Sequence, residues 1–167
     1  VSGDESAMTE QQVRGMKLFD GVGCAECHAG PNFNNWEPGI STIAFEEFPR
    51  STDSPLVAKY SLDLDLGRYE ATKEDSDKHY FKTPTLRNIT LTAPYFHNGA
   101  VPTLVESVQV MSVVQLDTEL SSAELDDLVA FLSALEGEFP AIMLPRIPSR
   151  PGDSVLEYTE SAVDAEN

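Results

Sequence analysis

The chain has 167 residues, enough for one domain, or one domain with a tail, that buries a core without disulfide staples. Its 11 basic and 28 acidic side chains leave a formal charge of −17, which argues against nucleic acid and favours either a basic docking partner or a solubility or high-salt adaptation. No apolar run approaches the roughly 18 residues of a membrane span.

The sequence begins at Val1 rather than Met, so an N-terminal segment, such as a signal peptide, is expected to have been removed or to precede it. The first predicted helix is TEQQVRGMKLFDG, residues 9–21. Thr9 is an N-cap, Gln12 completes a capping box, Met8 and Val13 suit a hydrophobic staple, and Gly21 and Gly23 end the helix. Gly15 and Phe19, four residues apart, would let another helix approach closely beside an aromatic ring.

Next comes GVGCAECHAG, residues 21–30, which holds both cysteines of the chain. Cys24 and Cys27 with His28 spell C-x-x-C-H, the attachment sequence of a c-type haem. Two thiols on one helical turn can form thioethers to the two vinyl groups on one edge of a porphyrin. The adjacent histidine then turns its imidazole under the iron as proximal ligand. A thioredoxin-like pair would sit at a helix start in a βαβ pattern, which is missing here. A zinc site would want further cysteines, and there are none.

Residues 30–60 carry Pro31, Pro38, Pro49 and Pro55 and read as a long loop without a sustained period. LDLDLG at 62–67 alternates apolar and acidic residues, a weak strand signal. The stretch 82–102 is broken by Pro84, Pro94 and Pro102 and by a turn at Asn98-Gly99. A second helix is predicted at 103–111, where Thr103 and Glu106 repeat the capping-box spacing and Leu104, Val108 and Met111 share one face. A third runs over 121–137, with a Ser121/Glu124 box, a stripe of Leu125, Leu128, Leu132 and Leu135, and Gly137 as C-cap. Leu128, Phe131 and Leu132 could oppose Gly15 and Phe19. A haem-domain unit over 1–137 is expected, followed by a Pro-rich, acidic, extended tail over 138–167.

This order of elements around C-x-x-C-H is that of a class I cytochrome c: mainly α, with long loops. The sixth iron ligand then decides between electron carriage and chemistry at an open position. Candidates are Met8, Met16, Met111, Met143, His79 and His97. Met111, on an apolar face shortly before the last helix, stands where such cytochromes place their distal methionine. His97, in PYFHNG, is the runner-up as ligand or outer partner, against a plain reading as a hydrogen-bonded loop residue. His79 lies among Asp75, Asp77 and Lys78 and reads as a solvated side chain.

Three stretches together, GMKLF…CAECHAGPNF, FKTPTLRNITLTAPYFHNGAVPTLVESVQVM and ELDDLVAFLSALEG, resemble the bacterial di-haem cytochrome c peroxidases and the related di-haem oxidases that mature methylamine dehydrogenase. The likeness covers roughly residues 9–140 and points to their C-terminal, high-potential, electron-accepting half. It implies Cys24 and Cys27 as thioether anchors, His28 as proximal ligand, Met111 as distal ligand, and one haem c. The oxidases use tyrosine near that last position, so Met111 is peroxidase-like. The resemblance also implies a calcium ion taking backbone carbonyls from Thr92 and Pro94. The family's second C-x-x-C-H, on the haem where peroxide is reduced, has no counterpart in this sequence.

Electron transfer is therefore the expected function, with a redox protein bearing a basic face as partner and no nucleic acid. The preferred reading is a complete single-haem cytochrome. The alternative is the electron-accepting half of a peroxidase whose first haem domain is missing, and a haem subunit of a larger dehydrogenase is a third reading. Attachment of haem c takes place in an oxidising, export-linked compartment, so the periplasm is expected.

Overall fold

The computed structural model describes residues 6–35 and 44–138. Met143 and the tail expected beyond the last helix lie outside those residues. The described chain is mainly α, with one two-stranded antiparallel ribbon.

The first helix, α1 (Glu10–Gly21), starts as its sequence predicts. The Thr9 side chain accepts from the backbone N–H of Gln12, and the Gln12 side chain reaches back to the N–H of Thr9. Two of the four orphan donors of the first turn are thereby satisfied. After the single turn α2 (Cys24–Cys27) come β1 (Phe45–Glu47), α3 (Pro55–Tyr60), α4 (Tyr69–Thr72) and β2 (Tyr80–Lys82). The chain closes with α5 (Leu104–Leu116) and α6 (Ser122–Ser133), and short 3-10 turns lie at Asp75–Asp77 and Ile89–Leu91.

The helix α3 falls inside the stretch read as loop. Its start signal is nevertheless there, with Ser54 accepting from the N–H of Leu56 and Pro55 at the first turn. LDLDLG is a turn rather than a strand. Leu62 is fully buried, Leu64 is exposed, and the Asp65 carboxylate accepts from the N–H of Gly67, so the alternation is spent in a local side-chain turn. Gly67 meets Tyr80 only through an isolated bridge. The strands that do pair are β1 and β2, in the register Phe45 opposite Lys82, Glu46 opposite Phe81 and Glu47 opposite Tyr80.

The helix α5 runs five residues past its predicted end at Met111, to Leu116, where Asp117 adopts a left-handed cap. Only half of its capping box closes. Thr103 accepts from the N–H of Glu106, while the Glu106 carboxylate takes the hydroxyls of Thr103 and Tyr60 instead of the Thr103 N–H. The helix α6 has the full Ser121/Glu124 box but ends at Ser133 with Ala134 as cap, ahead of Gly137. Leu135 turns into the core, and the Gly137 N–H is taken by the Asn88 side chain at 2.7 Å.

Two hydrophobic clusters make up the core. One gathers Phe48, Val57, Tyr60, Leu62, Tyr95, Val101, Val110 and Val114, and the other gathers Phe19, Leu128, Phe131, Leu132 and Leu135. Leu104 on α5 packs against both, Val108 against the second and Met111 against the first, so the face predicted for that helix straddles the two. The second cluster is built on the crossing of α1 and α6. A Cβ at Gly15 would stand 1.9 Å from the Asp127 carbonyl oxygen and 2.8 Å from Phe131 Cβ, so only glycine permits this approach. The Arg14 guanidinium grips the Asp127 carboxylate with two 2.9 Å contacts at the exposed edge of the same crossing. Screened by water, that pair sets orientation more than stability.

Gly15→Ala is expected to cost about 1–3 kcal/mol through overpacking. Gly21→Ala, where an added Cβ meets nothing within 4 Å, is expected to be neutral or to stabilise by up to ~1 kcal/mol. Thermal unfolding of the two variants side by side checks both.

Candidate haem site

The site begins where α1 stops. Gly23 has φ of +96°, a left-handed conformation that turns the chain directly into α2. An added Cβ there would meet only side-chain atoms of Glu26 and Leu116, at 3.7 to 3.8 Å, so the glycine serves the backbone turn rather than a tight space. On the one-turn helix Cys24 and Cys27 stand three residues apart, on the same side. The N–H of His28 closes the turn on the Cys24 carbonyl at 3.0 Å, and His28 itself leaves the helical conformation.

Cys24 and Cys27 form no disulfide with each other. Burial pushes Cys24 up to about 11. It raises Cys27 as well, with a further contribution from the Glu46 carboxylate. An activated redox pair has the opposite character, a thiol held low by a helix N-terminus or a neighbouring cation. Both thiols here have a neutral character, and Cys24 lies against the cluster of Phe19 and Phe131.

Two backbone carbonyls, of Phe33 and of Pro84, lie against His28. Its Nδ1 stands 3.0 Å from the Phe33 carbonyl oxygen. A carbonyl can only accept, so Nδ1 carries the proton and the Nε2 lone pair is left for a ligand. Burial holds the imidazole below its ordinary pKa, with the carbonyls of Phe33 and Pro84 working in the other direction. A neutral imidazole with a hydrogen-bonded Nδ1–H is the form in which histidine ligates a metal. Two anchoring thiols on one turn beside such a histidine fit a covalently attached haem.

The loop after His28 is held on both sides. Phe33 has φ of +52° and Asn35 of +55°. The Phe33 ring meets Phe19 edge-on at 6.1 Å and Phe131 at 5.9 Å, completing a triad with the 5.2 Å Phe19–Phe131 contact. From the other side Thr85 donates its hydroxyl to the Asn32 carbonyl at 2.6 Å, and Arg87 donates Nε to the Pro31 carbonyl at 3.0 Å.

The far end of α5 closes on the same region. Leu116 approaches Gly23, Gln115 Nε2 donates to the Glu47 carbonyl at 2.8 Å, and the Ser51 N–H donates to the Val114 carbonyl at 2.9 Å. Glu46 and Arg50, flanking this junction, are close enough to act on the Cys27 thiol. Met111 lies five residues before Leu116 on this helix, about one and a half turns, half-buried against the cluster of Phe48 and Val110. Two of the other candidates lie on or just before α1, and Met8 shares its cluster with Cys24. Met8 packs against the Phe19 cluster, and Met16 is exposed on α1.

His79 is not the solvated side chain its acidic neighbourhood suggests. It is half-buried at φ of +61°, its N–H bonds the Leu66 carbonyl, its carbonyl accepts from Phe48, and its Nδ1 is shut away from solvent. The β2 pairing pulls it in. His97 stacks on Phe81 with centroids 4.5 Å apart and meets Phe48 edge-on at 6.1 Å, so it is an aromatic packing group rather than a hydrogen-bonded loop residue. Thr92 and Pro94 are exposed, just after the 3-10 turn Ile89–Leu91. Among the described residues no group of three or more His, Cys, Asp or Glu is gathered where it could hold an ion. The residues that sequence reasoning missed are Phe33, Thr85 and Arg87, whose roles depend on contacts across 50 or more positions for the last two.

A RoxA-like, cytochrome c-like family profile matches residues 80–112, from β2 to one residue past Met111. The cytochrome c551 peroxidase of Nitrosomonas europaea is 37% identical over 155 residues, 92% of this chain and 42% of that protein. The cytochrome c peroxidase Ccp of Escherichia coli is 41% identical over 149 residues, 86% of this chain and 29% of that protein. The crystal structure of a MauG-like protein associated with microbial copper homeostasis superposes with a TM-score of 0.65 at 26% identity, covering 81% of this chain and 49% of that one. This is a cytochrome c-like domain of the di-haem cytochrome c peroxidase family.

The cytochrome c-like domain spans less than half the length of each of these relatives. The likeness nevertheless extends beyond the haem-attachment motif, since the profile falls on the stretch that carries Thr85 and Arg87 and on α5 rather than on Cys24–His28. No described helix is long and apolar enough to cross a membrane. In the haem-free domain, alkylation of Cys24 is expected to be slow at pH 7 and to keep accelerating toward about pH 11, where burial places its thiol. A pH–rate profile read by peptide mass spectrometry checks this, and a plateau near pH 7 would mark an activated thiolate.

Proposed function

We propose that this domain transfers electrons through one haem c, to which Cys24 and Cys27 would be joined and for whose iron His28 and Met111 would be the protein ligands. The observation that carries the reading is the His28 Nδ1–H···O=C contact to Phe33 beside two thiols on one turn. Haem in such a setting supplies a one-electron ferric/ferrous couple. The chain's part is to hold it rigidly. The cysteines fix its edge, His28 offers Nε2 in a set orientation, and Met111 offers a thioether from a helix tied into both core clusters. Thioether ligation raises the reduction potential relative to a second histidine, which suits an electron-accepting site.

The formal charge of −17 favours a redox partner with a basic docking face, recruited by complementary fields. The periplasm is the compartment consistent with haem attachment. A calcium ion bound by the carbonyls of Thr92 and Pro94 belongs to the proposal as well, and it needs further oxygen ligands from outside that pair. A second reading keeps the same site and makes this domain the electron-accepting half of a di-haem peroxidase that reduces hydrogen peroxide. It is favoured by the peroxidase relatives being more than twice as long as the part matched here.

The deciding experiment is the intact mass of the native protein under denaturing conditions, which leaves only covalently bound haem. One covalently bound haem per polypeptide is expected. A longer polypeptide with two haems selects the second reading, and a bare polypeptide mass rejects the haem assignment. Met111→Ala is expected to open the sixth position, convert the low-spin spectrum to a high-spin or water-ligated one, and lower the midpoint potential by on the order of 100 mV. Potentiometry with optical detection checks it, and an unchanged low-spin spectrum rules Met111 out as the ligand.

A further inference from the structure

We infer that the segment Pro84–Arg87 is a positioning clamp for the His28 imidazole, acting through Thr85 and Arg87 on the backbone that carries the Phe33 carbonyl. The inference rests on the haem reading above and goes beyond it by naming two side chains, of Thr85 and Arg87, that act on His28 through the backbone of the loop.

His28 depends on the Phe33 carbonyl for the proton position and orientation of its ring. That carbonyl belongs to a residue in the left-handed region, φ of +52°, a conformation that costs a side-chain-bearing residue roughly 1–2 kcal/mol. Left to itself the loop would relax out of it. What opposes relaxation comes from 50 or more residues away and takes three successive residues one by one. Arg87 Nε donates to Pro31, the Thr85 hydroxyl donates to Asn32, and the Arg87 guanidinium covers the Phe33 ring at 5.3 Å. The clamp is itself braced, because the Arg87 N–H bonds the Thr85 Oγ1 at 3.1 Å. Pro84, at its start, contributes a carbonyl beside His28.

Both Thr85 and Arg87 are exposed, and exposed polar contacts contribute little to global stability. Their arrangement is better matched to setting a carbonyl's position than to holding the fold. A hydrogen bond from Nδ1–H raises the basicity of Nε2 and so favours the ferric iron. Loosening the clamp should therefore make the midpoint potential more positive and expose the Nδ1–H to solvent.

The test uses the holoprotein, with covalent haem first verified by intact mass so that failure of the haem reading shows separately. Thr85→Val removes the donor to Asn32 at nearly constant shape, Thr85→Ser restores it, and Arg87→Gln removes the guanidinium over Phe33. The expected result is a positive shift of potential in Thr85→Val and Arg87→Gln. Their His28 Nδ1–H proton, followed by NMR, should exchange about tenfold faster, the equivalent of losing roughly one hydrogen bond. Thr85→Ser should match the parent in both. If either substitution prevents haem incorporation, the other carries the same readouts. Haem-loaded variants that melt earlier yet keep the parent's potential and exchange rate would overturn the inference and leave Thr85 and Arg87 a purely structural role.

Discussion

The structure turns on how closely α1 can come to α6. At Gly15 the backbone of one helix lies against the Asp127 carbonyl of the other, with no room for a methyl group. That approach brings Phe19 and Phe131 into contact at 5.2 Å, and the pair makes a seat that a third ring, Phe33, completes. Phe33 is also the residue whose carbonyl holds His28. A packing constraint between two helices is thus converted, through one aromatic side chain, into the orientation of an imidazole. The same clustering buries the Cys24 thiol and keeps it neutral.

The second half of the molecule repeats the logic with α5 as its axis. Its buried residues Val110 and Val114 belong to one core cluster, while Val108 packs against the other, so the helix cannot shift relative to either without opening both. Its C-terminal end is further tied to the strand segment by Gln115 and Val114, and to the start of the attachment turn by Leu116. Met111 therefore sits on an element whose position is set jointly by both clusters. Rigid placement of that kind is what the proposed ligand role of Met111 requires, since movement on each electron transfer would slow the exchange.

Much of this was legible in the sequence, and the legible parts have a common character. Capping boxes at Thr9 and Ser121, the glycine with an aromatic four residues later, and C-x-x-C-H are all local patterns. The physics that reads them acts within one or two turns of chain. What escaped was either local chemistry overridden by burial or contact between distant segments. LDLDLG has strand-like alternation, yet Leu62 is drawn wholly into the core and Asp65 closes a turn, so period 2 is never expressed. His79 has charged neighbours and an inward-facing ring because β2 begins beside it. Gly137 looked like a helix terminator, but burial of Leu135 ended the regular helix earlier. The start of α3 is locally encoded as well, since Ser-Pro before an apolar run is a helix signal in its own right.

Phe33, Thr85 and Arg87 belong to a different case. No spacing rule relates residues 31–33 to 85–87, and no propensity scale predicts a phenylalanine with positive φ. Local conformational cost of this kind survives only where surrounding structure over-determines it. Here the over-determination is visible on both faces of the loop, with rings from α1 and α6 on one side and polar donors from the 84–87 segment on the other. The apolar face supplies most of the stabilisation, because buried aromatic area outweighs exposed hydrogen bonds. The polar face supplies direction, because hydrogen bonds to the consecutive carbonyls of Pro31 and Asn32 fix the backbone just before Phe33 in a way that ring packing does not. Energy and geometry are divided between two sources, so the orientation of His28 can vary independently of the stability of the fold around it.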